Sequence, residues 1–227
     1  MRFLTGLVAT IAALTAVPAA AQTPPAAAPA APVAAAPAID PANVWVLDLS
    51  TGGRVTIQLR PDVAPKMVER VKTLTRQGFY NGLLFHRVID GFMAQGGDPK
   101  GDGTGGSPLP DLEAEFNNLP HVRGAVSAAR AEDKNSANSQ FFIVFMPRLS
   151  LDKKYTVFGR VLEGMGHVDA IERGEPPVNP SRILRAYVAS DNPPPFVPAA
   201  PEANPGLGAP VTLPGTTPAA PRPSPAG

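Results

Sequence analysis

The chain contains no cysteine. That excludes a disulfide framework, a thiolate zinc site and a cysteine nucleophile, and it removes the acceptor that a bacterial lipoprotein anchor would need. Net charge is nearly absent too: 20 Lys and Arg stand against 19 Asp and Glu, a formal +1. So even a balance gives no electrostatic drive towards nucleic acid or an anionic membrane. Histidine is scarce. His86, His121 and His167 lie far apart and none belongs to a metal-spaced pair, so each reads as a packed or surface residue and no metal is expected. Ser139 lacks the Gly-x-Ser-x-Gly elbow of a hydrolase. The glycine-rich run GGDPKGDGTGGS (96–107) lacks the Gly-Lys-Ser/Thr end of a phosphate loop. It also fails as a calcium loop from Asp98, because Lys100 and Leu109 occupy positions that need oxygen ligands. It reads as a surface loop whose glycines supply positive-φ turns. No cofactor is expected.

The one strongly apolar run is at the start. Arg2 is followed by Phe3 to Val17 and then by Ala19-Ala20-Ala21, the form of a signal peptide cleaved after Ala21. The run is short for a span of about 20 residues, and no basic stop-transfer cluster follows. Residues 1–21 are therefore expected to direct export, to the periplasm or beyond, leaving no membrane contact after cleavage. Proline marks the remaining boundaries: of 29, seven lie in 1–42 and twelve in 193–227. Residues 22–42 are a Pro/Ala-rich linker and 192–227 a Pro/Ala-rich tail, since neither can bury enough apolar surface to offset the entropy of ordering.

One domain is expected between them, over 43–191, long enough for a single core. VWVLDLS (44–50) and RVTIQLR (54–60) flank Thr51-Gly52-Gly53 as a hairpin, with Val55, Ile57 and Leu59 at strand period. Residues 64–77 switch to helical period through Met67, Val71 and Leu74, and Gly78 closes the helix. Short strand-like runs follow in LLFHRVI, FMAQ, AVSAA, SQFFIVF and YTVFGRV. Residues 163–174 return to helical spacing through Met165, Val168 and Ile171, and RILRAYVAS (182–190) is a last strand. Many short strands with two helices point to an all-β domain, a closed antiparallel barrel with helices over its ends.

FHRVIDGFMAQGGD (85–98) sets one arginine, Arg87, and one amide, Gln95, among apolar and aromatic groups. Taken alone, Arg87 reads as a surface charge paired with Asp90 or Glu115. Glu113 and Glu115 read as solvated charges flanking a buried Phe116, rather than a carboxylate pair for glycoside chemistry. In FFI, Phe141 and Phe142 must face opposite sides of a sheet, one filling the core and one an outer groove.

FHRVIDGFMAQGGD, GDGTGG, HVRGAVSAAR and SQFFI…YTVFGRV, in this order from about Trp45 to Val188, closely resemble the cyclophilin family of peptidyl-prolyl cis-trans isomerases. The resemblance implies an eight-stranded antiparallel barrel capped by two α-helices. It implies isomerisation of X-Pro bonds in unfolded or folding polypeptides, by a monomer. Arg87 matches the family's catalytic arginine, with Gln95 and Phe92 beside it. Phe92, Met93 and Phe142 match the apolar proline pocket, with Leu151 beside it, and Tyr155 stands at a pocket position where well-studied eukaryotic members carry His. Gln140 matches a polar group near the substrate backbone, and Ala129 and Arg130 fall where the family lays the peptide along a strand edge. The family assigns Phe142, not Phe141, to the groove. Arg130 replaces an Asn, and Ser150 replaces a Trp that shapes the rim in those same members. The Ser150 departure keeps a second function open, a proline-recognising chaperone with little turnover.

Overall fold

The computed structural model describes residues 39–198, within a unit that begins at Ala38. The expected signal peptide, most of the linker and most of the tail lie outside the described residues. Eight strands form one antiparallel sheet: β1 (Val44–Leu49), β2 (Gly53–Leu59), β3 (Phe85–Ile89), β4 (Met93–Gly96), β5 (Ala125–Ala128), β6 (Phe141–Val144), β7 (Val157–Glu163) and β8 (Ile183–Val188). Their spatial order is β3-β4-β6-β5-β7-β2-β1-β8. Helix α1 spans Pro65–Arg76 and helix α2 spans Met165–Asp169. Among the described residues, no helix is long and apolar enough to cross a membrane.

The hairpin forms where its period places it. Val44 to Leu49 pairs with Gln58 to Gly53 without a slip, and Gly52 turns the chain at φ +89°. Along β2, buried and half-buried residues alternate, which puts Val55, Ile57 and Leu59 into the core. Helix α1 buries Met67, Val71 and Leu74 against that core. Its N-terminus has Pro65 at the first position and no cap from Ala64. The orphan N–H groups of Lys66 and Met67 instead donate to Glu115, each at 2.9 Å, where a carboxylate also meets the positive end of the helix dipole. Glu115 is thus not a free solvated charge. Glu113 pairs with Lys66, and Phe116 is exposed rather than buried.

The core is centred on Trp45, Tyr80, Phe85 and Phe141. Trp45 meets Tyr80 at 5.2 Å and Phe141 at 4.9 Å, ring centre to ring centre, both edge-on, the arrangement that aromatic quadrupoles favour. Helix α2 is shorter than its spacing suggests. It ends at Asp169, although Val168 and Ile171 are both buried. The Arg173 guanidinium donates to the carbonyls of Asp169 and Ile171, supplying partners that a further turn would otherwise provide.

The sheet curls into a half-barrel rather than closing into a full one. Strands β3 and β8 are its edges, joined by an isolated bridge, Leu84 to Arg182, just ahead of both strands. The closed ladder fails because the outer edge of β3 already has a partner. Val88 exchanges backbone hydrogen bonds of 2.8 and 2.9 Å with Gly174, in the loop between α2 and β8. That loop covers the edge and satisfies groups that an unpaired strand would expose. Past β8 the chain is held as far as Pro194, whose carbonyl accepts from Arg54 at 2.7 Å. Arg54 is itself fixed by Asp48 at 2.7 and 3.0 Å.

Candidate active site

Sheet register assembles the polar half of the site. Arg87 on β3 lies opposite Gln95 on β4, and Gln95 lies opposite Phe142 on β6. Cross-strand partners share a face, so three separate segments present one row. The ladder shifts register between Phe85 and Arg87. Regular alternation would send both side chains to the same side. The irregularity lets Phe85 enter the core while Arg87 stays 43% exposed, the re-aiming that bulges near functional sites provide.

Hydrogen bonds extend the row. Gln95 Nε2 donates to Gln140 Oε1 at 2.9 Å, and Gln140 Nε2 donates to the carbonyls of Gly103 and Gly105 at 3.0 and 2.8 Å. Those carbonyls belong to the glycine-rich loop, which winds around Asp98. The Asp98 carboxylate is buried and accepts from the backbone of Lys100, Asp102 and Gly103. The loop is therefore a support that holds Gln140. Arg87 completes the row with a long contact to Gln95 Oε1, 3.5 Å, and a short one from Nε to Glu175, 2.7 Å. Its partner is neither Asp90, which pairs with Arg173, nor Glu115, which caps α1.

The apolar half is a second cluster, separate from the main core. Met93, Ala129 and Phe142 are buried in it, and Phe92, Leu151 and Tyr155 pack against it half-exposed. Phe141 belongs to the main core and Phe142 to this outer cluster, as alternation requires. Phe142 meets the Tyr155 ring edge-on at 5.9 Å. Arg130 lies 4.5 Å over Tyr155 and donates to the carbonyls of Ala131, Glu132 and Lys154, so it ties this rim together. Ser150 and the apolar Leu149 are exposed in the short turn that carries Leu151. All ten residues singled out from the sequence thus lie along this row, in this cluster or at its rim. Open space adjoins the polar row and the Ala129–Arg130 edge on two sides. A cavity of about 570 Å³ touches Arg87, Gln95, Arg130 and Glu175, and another of about 420 Å³ runs past Gln95, Gln140, Ala129 and Arg130.

Three contributors carry no local sequence signal. His121 is fully buried behind the pocket, stacked 6.1 Å from Phe142. Its Nδ1–H donates to Asp152 at 2.8 Å, and its Nε2 lies 3.1 Å from Ser127 Oγ. Both ring nitrogens are engaged, and they brace the turn that carries Leu151. The backbone N–H of His121, donated to Asp152, holds that carboxyl below the usual carboxylate range. Ser127 sits opposite Phe142 in the sheet. Glu175 is 88 residues from Arg87 in the chain, and only the fold brings them together.

His86, next to Arg87, is 5% exposed, and neither ring nitrogen has a hydrogen-bond partner among the described residues. Burial pushes its pKa below 6.5, with Asp98 opposing in part. The unfolded chain therefore takes up this proton first as pH falls. Stability present above about pH 6.5 should decline below it, by at most ~1.4 kcal/mol per pH unit for one proton. The depressed carboxyls of Asp152 and Asp169 act only further down, as pH falls below their ordinary 3.8. Urea melts at pH 7.5, 6.5 and 5.5 should show the midpoint falling across the last interval, and a His86→Phe variant should lose much of that slope. An unchanged slope would place the proton elsewhere.

Comparison with known proteins gives the family. The sequence profile described as cyclophilin type peptidyl-prolyl cis-trans isomerase/CLD matches residues 46–188. A probable peptidyl-prolyl cis-trans isomerase of Brucella suis is 48% identical over 172 residues, 69% of this chain and 87% of that protein. A cyclophilin crystal structure from Hirschia baltica superposes with a TM-score of 0.63 at 30% identity, covering 69% of this chain and 77% of the other. A Cryptosporidium parvum cyclophilin type isomerase, crystallised in the presence of the dipeptide Ala-Pro, gives a TM-score of 0.60 at 26% identity, covering 64% of this chain and 98% of the other. The chain belongs to the cyclophilin family. It is a peptidyl-prolyl cis-trans isomerase.

Proposed function

We propose that this isomerase accelerates X-Pro rotation in exported polypeptides as they fold, with Arg87 acting on the proline nitrogen above the Phe92–Met93–Phe142 pocket. The observation that carries the assignment is the row Arg87–Gln95–Phe142, set beside an apolar cluster that is not part of the main core. Rotation about a peptide C–N bond faces a barrier of about 18–20 kcal/mol, because resonance gives it partial double-bond character. No bond is made or broken, so neither nucleophile nor general base is needed. As the amide twists, conjugation is lost and the proline nitrogen gains a lone pair. A guanidinium aimed at that nitrogen bonds to the twisted state more strongly than to the planar ones, which is what lowers a barrier. Arginine stays protonated throughout and offers rigid donors.

Phe92, Met93, Phe142 and Leu151 hold the ring while the preceding carbonyl swings, and Tyr155 closes one side. Gln95 and Gln140 meet the substrate backbone, and Ala129 with Arg130 lines the strand-edge path of the peptide. The Ala-Pro dipeptide used with the Cryptosporidium relative supports a short X-Pro unit as the minimal substrate. Export is supported by Arg2, the apolar run Phe3 to Val17 and the small residues Ala19 to Ala21. The working form is a monomer that needs no cofactor.

An NMR exchange measurement on a short Ala-Pro peptide tests the catalytic reading. The expected result is line broadening between cis and trans signals at substoichiometric protein. Peptide binding without faster exchange would favour the proline-recognising chaperone. Export is tested separately, by sequencing the N-terminus of protein recovered from the periplasmic fraction. Gln22 is expected first, and an uncleaved Met1 in the cytoplasm would remove the export reading.

A further inference from the structure

Glu175 is fixed more firmly than an ordinary surface glutamate. Its neighbour Gly174 is paired to Val88 through two backbone hydrogen bonds of 2.8 and 2.9 Å, and Val88 directly follows Arg87 in β3. Gly174 has φ +146°, and a Cβ there would fall 2.5 Å from Pro177 Cα, so only glycine fits. One residue earlier, Arg173 bonds to the carbonyls of Asp169 and Ile171 and to Asp90. The chain leading into Glu175 is thus tied at two successive residues, Gly174 also forms an isolated bridge with Pro177 just beyond it, and the Glu175 carboxylate is delivered to Arg87 Nε at 2.7 Å.

The contact matters because of what Arg87 lacks. Its side chain is long and 43% exposed, and a free guanidinium loses considerable rotamer entropy when it must take one pose. Gln95 Oε1 stands 3.5 Å from its Nη1, at the limit of a hydrogen bond and a weak restraint. Glu175 engages Nε alone, so the terminal N–H groups stay available to the cavity that Arg87 and Glu175 both line. An ion pair as exposed as this adds little to fold stability, so its contribution lies in orientation. We infer that Glu175 is a positioning residue of the isomerase reaction, holding the Nε edge of Arg87 so that its terminal donors face the substrate. The inference rests on the reading of Arg87 as the group that acts on the proline nitrogen.

The test is a double-mutant cycle, read by kcat and KM on an Ala-Pro peptide and by thermal unfolding. Glu175→Ala should lower kcat about three- to ten-fold with KM changed less than about two-fold, as expected for an interaction expressed in the transition state. Glu175→Gln keeps an acceptor oxygen and should recover most of the loss. In an Arg87→Ala background, Glu175→Ala should have no further effect, because nothing remains for it to position. Unchanged or faster turnover in Glu175→Ala would overturn the proposal. So would an equal fractional loss in the Arg87→Ala background, which would mark a structural role for the loop. If Arg87→Ala alone turns over at the wild-type rate, the reading of Arg87 itself fails, and that arm identifies the failure without any Glu175 variant.

Discussion

Replacing Arg87 with alanine will lower turnover of a short X-Pro peptide at least ten-fold and leave the unfolding transition nearly where it was. A ten-fold loss corresponds to ~1.4 kcal/mol of transition-state stabilisation. A hydrogen bond from a charged donor contributes about 1.5–3 kcal/mol, so ten-fold is the lower end of what removing the guanidinium should cost. The fold should be indifferent. Arg87 is 43% exposed, its pair with Glu175 is exposed on both sides, and its contact to Gln95 is long. Substitutions at such positions usually move stability by less than about 0.5 kcal/mol. Gln95 would keep its bond to Gln140 and so its place in the row. Arg87→Lys separates charge from geometry, since an ammonium keeps the charge but loses the rigid planar fork, and it should restore only part of the rate. Exchange spectroscopy on the peptide, with a thermal melt of each variant, reads both halves. Wild-type rates in Arg87→Ala would remove arginine from the mechanism.

The parts of this site that are legible in the sequence share a cause: they depend on short-range periodicity. Strand period places the β1–β2 hairpin, and helical period places Met67, Val71 and Leu74 of α1. The two-residue repeat separates Phe141 from Phe142. The family resemblance adds which of the two faces the groove and joins segments that no local pattern connects. Contacts made by loops across long stretches of chain remain hidden. Glu115 caps α1 from 48 and 49 residues away, and Glu175 reaches Arg87 across 88. A carboxylate in a loop carries no periodic signal, so its partner can be any cation that the fold brings within reach. His121 is hidden for a related reason. Its partners Ser127 and Asp152 lie 6 and 31 residues on, with no spacing that distinguishes a braced histidine from a solvated one. The half-barrel follows the same logic. Closure depends on whether a loop or β8 covers the edge of β3, and that competition is settled in three dimensions at Val88 and Gly174.

Phe141→Ala and Phe142→Ala, one residue apart, will fail in different ways. Phe141 is fully buried, with ring centres of Trp45, Tyr80 and Phe85 at 4.9, 6.0 and 6.3 Å. Deleting its ring leaves a cavity inside the curled sheet and should cost about 3–5 kcal/mol, a large share of the roughly 5–15 kcal/mol that holds a domain folded. The melting temperature should fall by about 10 °C or more for a domain of this size. Phe142 packs in the smaller outer cluster, stacked on His121 and edge-on to Tyr155. That cluster is bordered by the half-exposed Phe92, Leu151 and Tyr155, so neighbours can relax or water can enter, and the cost should sit nearer the ~1–3 kcal/mol common for single substitutions. The catalytic cost should run the other way. Without Phe142 the proline ring has no wall beside Gln95, and kcat/KM should fall about ten-fold or more, the worth of burying one apolar side chain against the ring in the transition state. Should Phe141→Ala fail to fold, the leucine pair keeps the comparison open, since leucine retains most of the volume. Phe141→Leu should then work at close to the wild-type rate with a lowered melt, and Phe142→Leu should melt near wild type with impaired kcat/KM. The reverse pattern would put Phe141 at the groove and Phe142 in the core, against the alternation on which the site is built.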